Sequence, residues 1–240
     1  MQSMIVRWPR WGQILAVVVF AGALIVGVPA IRGPILRSAG WALVVDEPVE
    51  PADVVVVPVN ADGAGALEAA DLVHNGIASR VAVFGDPPDP VDREFIRRGI
   101  PYEDAAARTA GQLVSLGVTA IEQIPRAVAG TEDEGEVLRD WCGLHQFRSV
   151  VVVSTPDHSR RLHRVLRRAM KGHQTRVTVR VTRHSAFDPD RWWETRGGIR
   201  TEIFELQKLL LDVVRHPISW GACVGGASCE SDSSRESSHP

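Results

Sequence analysis

Val150-Val151-Val152-Val153-Ser154-Thr155-Pro156-Asp157-His158-Ser159-Arg160-Arg161-Leu162 is the stretch whose reading decides the fold. Four consecutive valines have the character of a parallel strand buried on both faces. Thr155 suits a helix N-cap and Pro156 the first helical position, where a missing N–H costs nothing. Apolar residues then recur at Leu162, Val165, Leu166 and Ala169, which is helical spacing. His158 lies on the same line, one turn before Leu162, and so points toward the carboxyl edge of the sheet. In open α/β sheets that edge is where ligands bind.

Working outward, strand-like runs occur at residues 54–57, 81–84, 121–124, 150–153 and 177–181. Helical patterns lie between them at 66–75, 89–98, 104–116 and 132–144. The first three end at Gly76, Gly99 and Gly117, a residue suited to helix C-termini. This alternation predicts an α/β, Rossmann-like three-layer domain with a mainly parallel sheet. A last helix over 201–214 is expected to pack through Ile203, Phe204, Leu206, Leu210 and Val213.

Residues 14–31 carry no charged side chain; Arg7, Trp8, Arg10 and Trp11 precede them, and Arg32, Arg37 and Trp41 follow. About twenty apolar residues suffice to cross a bilayer, and Trp and Arg suit its interfaces. A cleaved signal peptide ending near Ala21-Gly22-Ala23 would cut the apolar run in half, so the expectation is an uncleaved transmembrane helix over about 12–31. Its partner is membrane lipid. Flanking charges nearly balance, so they do not set its orientation. The expected organisation is an N-terminal segment over 1–43, an acidic spacer over 44–52, the α/β domain over 53–216 and a disordered tail over 217–240. With 27 Lys and Arg against 29 Asp and Glu, the chain is not a general nucleic-acid binder. Three cysteines are too few for a disulfide scaffold, although Cys223 and Cys229 can pair in an oxidising compartment; Cys142 reads as core.

Candidate site residues gather behind the strand ends. His158 and Arg161 share a face at i, i+3 at a helix start, where free N–H groups favour an anion. Arg161 can clamp a phosphate or carboxylate, Ser154 and Thr155 can add hydroxyl donors, and His158 can give or take a proton. The structural alternative makes Thr155 a cap, Arg161 a surface cation and His158 a packed ring. Asp157 opposes an anion. Thr131 and Glu134 have capping-box spacing, which explains both without a ligand; otherwise they face the site. Asn60 and Asp62 suit a turn, or contact with a sugar, ribose or metal. Arg160, Arg164, Arg167 and Arg168 form a basic stripe with His163 and Lys171, read as a solvated face or a contact for anionic headgroups. No phosphate-binding glycine loop, HExxH, GxSxG or paired CxxC pattern occurs, so no cofactor is assigned and no metal set is expected.

Residues 150–162 resemble the strand-loop-helix of the YdcF/SanA/ElyC-like bacterial domain family, whose pattern falls here on Ser154, Thr155, His158 and Arg161. Gly130-Thr131-Glu132-Asp133-Glu134 resembles the segment that opens the family's preceding helix. Trp192-Trp193-Glu194 and residues 202–209 resemble its closing Trp and Glu…Lys-Leu pattern. The likeness covers roughly residues 53–214. It departs after the first strand, where Asn60 and Asp62 replace part of a Gly-rich turn, and at Glu68, in a region where the family often has Arg. The resemblance implies a membrane-anchored envelope protein with its domain outside the cytoplasm, acting on or binding a phosphorylated or lipid-linked sugar precursor. The alternative is a non-catalytic domain that binds an anionic ligand or regulates at the membrane. Whether it is an enzyme stays open.

Overall fold

The computed structural model describes residues 11–17, 27–124 and 130–217. Five strands, β1 (Val54–Val57), β2 (Val81–Val83), β3 (Ile121–Gln123), β4 (Ser149–Ser154) and β5 (Arg176–Val181), form one sheet in the order β3-β2-β1-β4-β5. Every pairing is parallel. The two valine runs are neighbours, with Val54, Val55 and Val56 opposite Val150, Val151 and Val152. All eight of their valines are buried, as a strand covered on both faces requires.

Helices cover both faces. α1 spans Pro29–Trp41, α2 Asp62–His74, α3 Pro90–Arg97, α4 Ala105–Ser115, α5 Thr131–His145, α6 Pro156–Ala169 and α7 Arg196–Arg215. On one face Val137, Leu138 and Trp141 of α5 and Leu162 and Leu166 of α6 pack on Val54, Val56, Val150 and Val152. On the other, Ala66, Ala69 and Ala70 of α2 and Leu113 of α4 meet Val55, Val57, Val151 and Val153. Cys142 is a free, fully buried thiol on α5, and burial pushes its pKa up to about 12. Chain connections run outward from β1 to β3 and then return to β4, which puts the topological switch point between β1 and β4.

The helix expected near the N-terminus is interrupted at Val28. Val28 is extended (φ −107°, ψ 105°) and Pro29 opens a new helix, because the residue before a proline is driven out of the helical region. Pro29, Ala30 and Ile31 therefore belong to α1, not to one span over 12–31. Among the described residues no helix is long and apolar enough to cross a membrane. The middle of the uncharged run, residues 18–26, lies outside the described residues, as do 125–129 and 218–240 with Cys223 and Cys229.

α1 docks on the α/β domain. The Trp192 indole N–H donates to the Leu36 carbonyl (2.8 Å), and the Trp41 indole N–H to Asp190 (3.0 Å). Gly40 packs so closely that a Cβ there would lie 2.3 Å from the Pro189 carbonyl oxygen. The supposed spacer is fastened along β5: Glu47 and Val179 bond backbone to backbone, the Val179 N–H also donates to the Glu47 carboxylate (2.8 Å), and the Val181 N–H donates to Asp46 (2.9 Å). This covers the open edge of the sheet, which would otherwise offer unpaired backbone groups.

α7 is turned the other way from expectation. Its buried residues are Gly198, Glu202, Glu205 and Asp212, while Ile203, Phe204, Leu210 and Val213 are exposed and Leu206 is half-buried. The reason lies on α6. Arg164 and Arg168 both pair with Asp212, and Arg161 pairs with Glu205, so ionic rather than apolar matching sets the rotation of α7. The basic stripe is accordingly not a solvated face. Arg160 donates to the Ala42 and Val44 carbonyls and His163 contacts Glu47 (3.4 Å); Arg167 is exposed.

Candidate functional site

His158 sits in the first turn of α6, directly after β4, and is 4% exposed. Its helical phase with Leu162 carries it inward, as the spacing predicts. α5 lies against α6 because Gly135 leaves room: a Cβ there would meet Val165 at 3.0 Å and Ala169 at 3.1 Å. That close approach brings the first turn of α5 to the first turn of α6 at the switch point.

Arg161 ties the cluster together. Its guanidinium donates to Thr131 Oγ1 (2.8 Å) and to Glu205 Oε2 (3.2 Å), and lies 3.0 Å from His158 Nδ1. A guanidinium only donates, so Nδ1 accepts, and a neutral His158 ring carries its proton on Nε2. The competing contact from Nδ1 to Glu205 is longer, at 3.5 Å. Nε2 is buried and has no hydrogen-bond partner among the described residues. Lys208 adds a 2.7 Å contact to Glu205. Burial works against the charged form of Glu205, but the hydrogen bond from Lys208 and the charge of Arg161 prevail and hold its pKa down at about 2.

Three other carboxyls nearby behave oppositely. Burial raises the pKa of Glu134 against the pull of His158, the Val59 backbone N–H and Arg161, and Glu134 Oε2 has no partner among the described residues. Glu202 is fully buried, both its oxygens lack partners, and burial plus the charge of Asp157 lift it to about 7. Burial also raises Asp157, against a hydrogen bond from Thr155.

Capping differs among the helices. α3, α4 and α7 have side-chain caps from Asp89, Asp104 and Thr195. α1, α2, α5 and α6 have none. The expected capping box of Thr131 and Glu134 does not form: Gly130, at φ 122°, is the N-cap. Thr131 turns its hydroxyl to Arg161 instead, and Glu134 binds Val59 in the turn after β1. Uncapped helix starts leave N–H groups able to meet an anion.

The remaining expected residues divide. Thr155 is the N-cap residue of α6 but makes no capping bond. Ser154 is buried, and its hydroxyl donates to the Thr155 carbonyl (3.1 Å) rather than outward. Asn60 is exposed on the 3-10 turn after β1. Asp62 is exposed with φ 42°, a backbone region that favours glycine and costs a side chain roughly 1–3 kcal/mol. It lines a neighbouring cavity of about 440 Å³ with Asp86, Tyr102 and Arg108, on the β2 side of the switch point. Glu68 is buried, and Arg180 and Arg183 hold it away from the cluster. Glu205 and Glu202 escaped the sequence reading of the site. Their signal was complementary spacing: Arg161 and Arg168 are seven residues apart on α6, as are Glu205 and Asp212 on α7.

No family model matches this chain, and no curated protein is found to match it.

Proposed function

We propose that the chain is a membrane-anchored envelope protein whose switch-point cluster binds the anionic group of a phosphorylated or lipid-linked sugar precursor, with His158 as the donor to that group. The observation that carries this reading is the buried, unpartnered Nε2 of His158. A buried donor without an acceptor costs about 1–3 kcal/mol, a cost that a bound anion removes. The uncapped starts of α5 and α6 supply backbone N–H groups to the same ligand. Glu134, whose Oε2 is also buried without a partner among the described residues and whose pKa burial raises, is a second polar group for the same ligand.

Arg161 has a different part from the anion clamp first expected. Three of its five N–H donors are engaged by Glu205, Thr131 and His158, so its first part is that of a positioning residue that fixes the ring and its tautomer. The resemblance to the envelope family supports the substrate class, and the uncharged run over 14–31 supports the anchor.

One observation favours the non-catalytic alternative. Thr131 Oγ1 accepts from Arg161 and the Ser154 hydroxyl donates to a carbonyl, so among the described residues neither is paired with a general base that would activate it as a nucleophile. The full chain in detergent, screened by thermal shift against inorganic phosphate, sugar nucleotides and a polyprenyl phosphate, tests the binding claim. His158→Ala is expected to weaken the ligand found by about tenfold or more, the loss of a hydrogen bond to a charged group. If the variant keeps binding but loses turnover, the site is catalytic. If it loses affinity and no turnover exists in either form, the site is a receptor. No stabilisation by any of these anions defeats the reading. Affinity is also expected to fall as pH rises through the raised pKa of Glu134, and Glu134→Gln to remove that dependence.

A further inference from the structure

α7 carries all three of its carboxylates, Glu202, Glu205 and Asp212, on its buried side. Its outward half is apolar and basic. Phe204 is 54% exposed, Leu210 63% and Val214 68%, with Ile199, Ile203 and Leu211 beside them. Arg196, Arg200 and Arg215 lie among these residues, and none has an ion-pair partner among the described residues. This is the inverse of an ordinary surface helix, where the apolar stripe turns inward.

A cavity of about 640 Å³ adjoins that face. It is lined by Leu209 and Val213 of α7, by Arg160, His163 and Arg167 of α6, and by Lys171 in the turn after α6. Arg167 and Lys171 make no ion pair among the described residues. The chain that leads into α7 is also where α1 is bolted, through Trp192 to Leu36 and through Pro189 to Gly40. α1 begins in the last residues of the uncharged run. An apolar face, cations without partners, an adjoining basic cavity and a fixed link to the chain's most apolar segment all match one partner.

We infer that the outward face of α7 and the basic cavity behind it form a second membrane contact, with Phe204, Leu210 and Val214 in the acyl-chain boundary of a bilayer and Arg167, Lys171, Arg196 and Arg200 on anionic lipid headgroups. Interfacial helices combine an apolar face with basic residues in this way, and cations beside an anionic lipid surface are drawn to it. The partner is an anionic bilayer rather than another protein, because the face offers cations and apolar groups but no exposed carboxylate. The inference does not rest on the ligand proposed for the switch-point site. It gives the domain a second point of contact with the membrane besides the link through α1.

The test uses the full chain in vesicles of phosphatidylcholine, alone or mixed with phosphatidylglycerol. A fluorophore is placed at Leu210→Cys or Phe204→Cys, with Cys223 and Cys229 changed to Ser. Cys142 stays unlabelled because it is buried and its thiol pKa is about 12. Ser115→Cys on α4, across the sheet, is the control. Flotation of the vesicles reports the N-terminal anchor, and quenching by nitroxide-bearing lipid reports α7. Labels at 204 and 210 are expected to be quenched at least twofold more than the label at 115. Phosphatidylglycerol is expected to increase the difference, and the double variant Arg167→Glu, Arg200→Glu to remove that increase. A chain that floats with equal quenching at 115 and 210 keeps its anchor and overturns the inference. Lipid-independent cross-linking between Leu210→Cys copies overturns it in favour of a second copy of the chain. A chain that does not float overturns both the anchor and the second contact.

Discussion

The two sides of α6 meet their neighbours by different physics. Toward the sheet, Leu162, Val165 and Leu166 are buried, and Leu162 and Leu166 share one core cluster with the valines of β1 and β4. Toward α7, the seam is built from Arg161, Arg164 and Arg168 against Glu205 and Asp212. The apolar side is non-directional and gains roughly in proportion to the area it hides. The ionic side gains little net energy, because desolvating the charges offsets most of their attraction, but it penalises any arrangement that leaves one partner alone. The first side thus supplies stability and the second supplies orientation. Orientation is what the switch-point site needs, since Glu205 belongs to both the seam and the cluster around His158.

The sharpest way to break this contrast is on the apolar side. Leu162→Ala removes a fully buried side chain between α6 and the sheet. The expected cost is about 2–5 kcal/mol, lost transfer energy plus an unfilled cavity. It is expected to lower the midpoint of global chemical unfolding to the same extent at low and high salt. A loss under about 1 kcal/mol would mean that the α6–sheet contact is not the main apolar contribution of this helix.

On the ionic side, Asp212→Ala leaves Arg164 with no carboxylate in a seam where it is only 13% exposed. Burial opposes the charge on Asp212, but Arg164 and Arg168 outweigh it and lower its pKa. The expected cost is about 2–3 kcal/mol, somewhat below the range for breaking a fully buried pair because Arg168 is partly exposed. The effect is expected to be local: amide hydrogen exchange should speed up along α7 while β1 and β4 keep most of their protection. Uniform acceleration through the sheet would show that α7 is part of the main cooperative unit and that the two sides are not separable.

The apolar side was legible in the sequence and the ionic side was not. All five strands fall where the valine-rich and isoleucine-rich runs place them, within a residue or two. The phase of His158 with Leu162 correctly put the ring inside. Apolar periodicity works there because the partner is a generic apolar surface. It failed for α7, where Ile203, Phe204 and Leu210 follow helical spacing as well as any core residues do, yet face outward. Spacing identifies a face but not what the face meets. Thr131 and Glu134 teach the same lesson: their separation fits a capping box, but long-range partners, Arg161 for one and Val59 for the other, outcompete the local bonds. α1 was hidden because Pro29 divides a run that composition alone shows as continuous.

The smallest expected effect separates the two sides by pH. Glu202 lies on α7 with both oxygens unpartnered, and burial with the charge of Asp157 lifts its pKa to about 7. In the unfolded chain it titrates near the ordinary value of 4.5. Between these values the folded state holds a proton that the unfolded state has released. Stability then falls as pH rises, because the native state binds more protons than the unfolded one. Each unit of pKa difference is worth about 1.4 kcal/mol, and between pH 6 and pH 8 the folded group passes through its own titration, so the expected loss over that window is about 1 kcal/mol. Glu205 has the opposite sign: its pKa of about 2 in the fold makes its contribution disappear only as pH falls below 4.5. Glu202→Gln keeps the shape of the side chain and cannot ionise. Its unfolding free energy, followed by urea titration, is therefore expected to lose the decline between pH 6 and pH 8 while keeping the acid limb set by Glu205. If the variant declines as steeply as the parent chain, the proton held in the α7 seam is not on Glu202, and Asp157, whose pKa burial also raises, becomes the group to change.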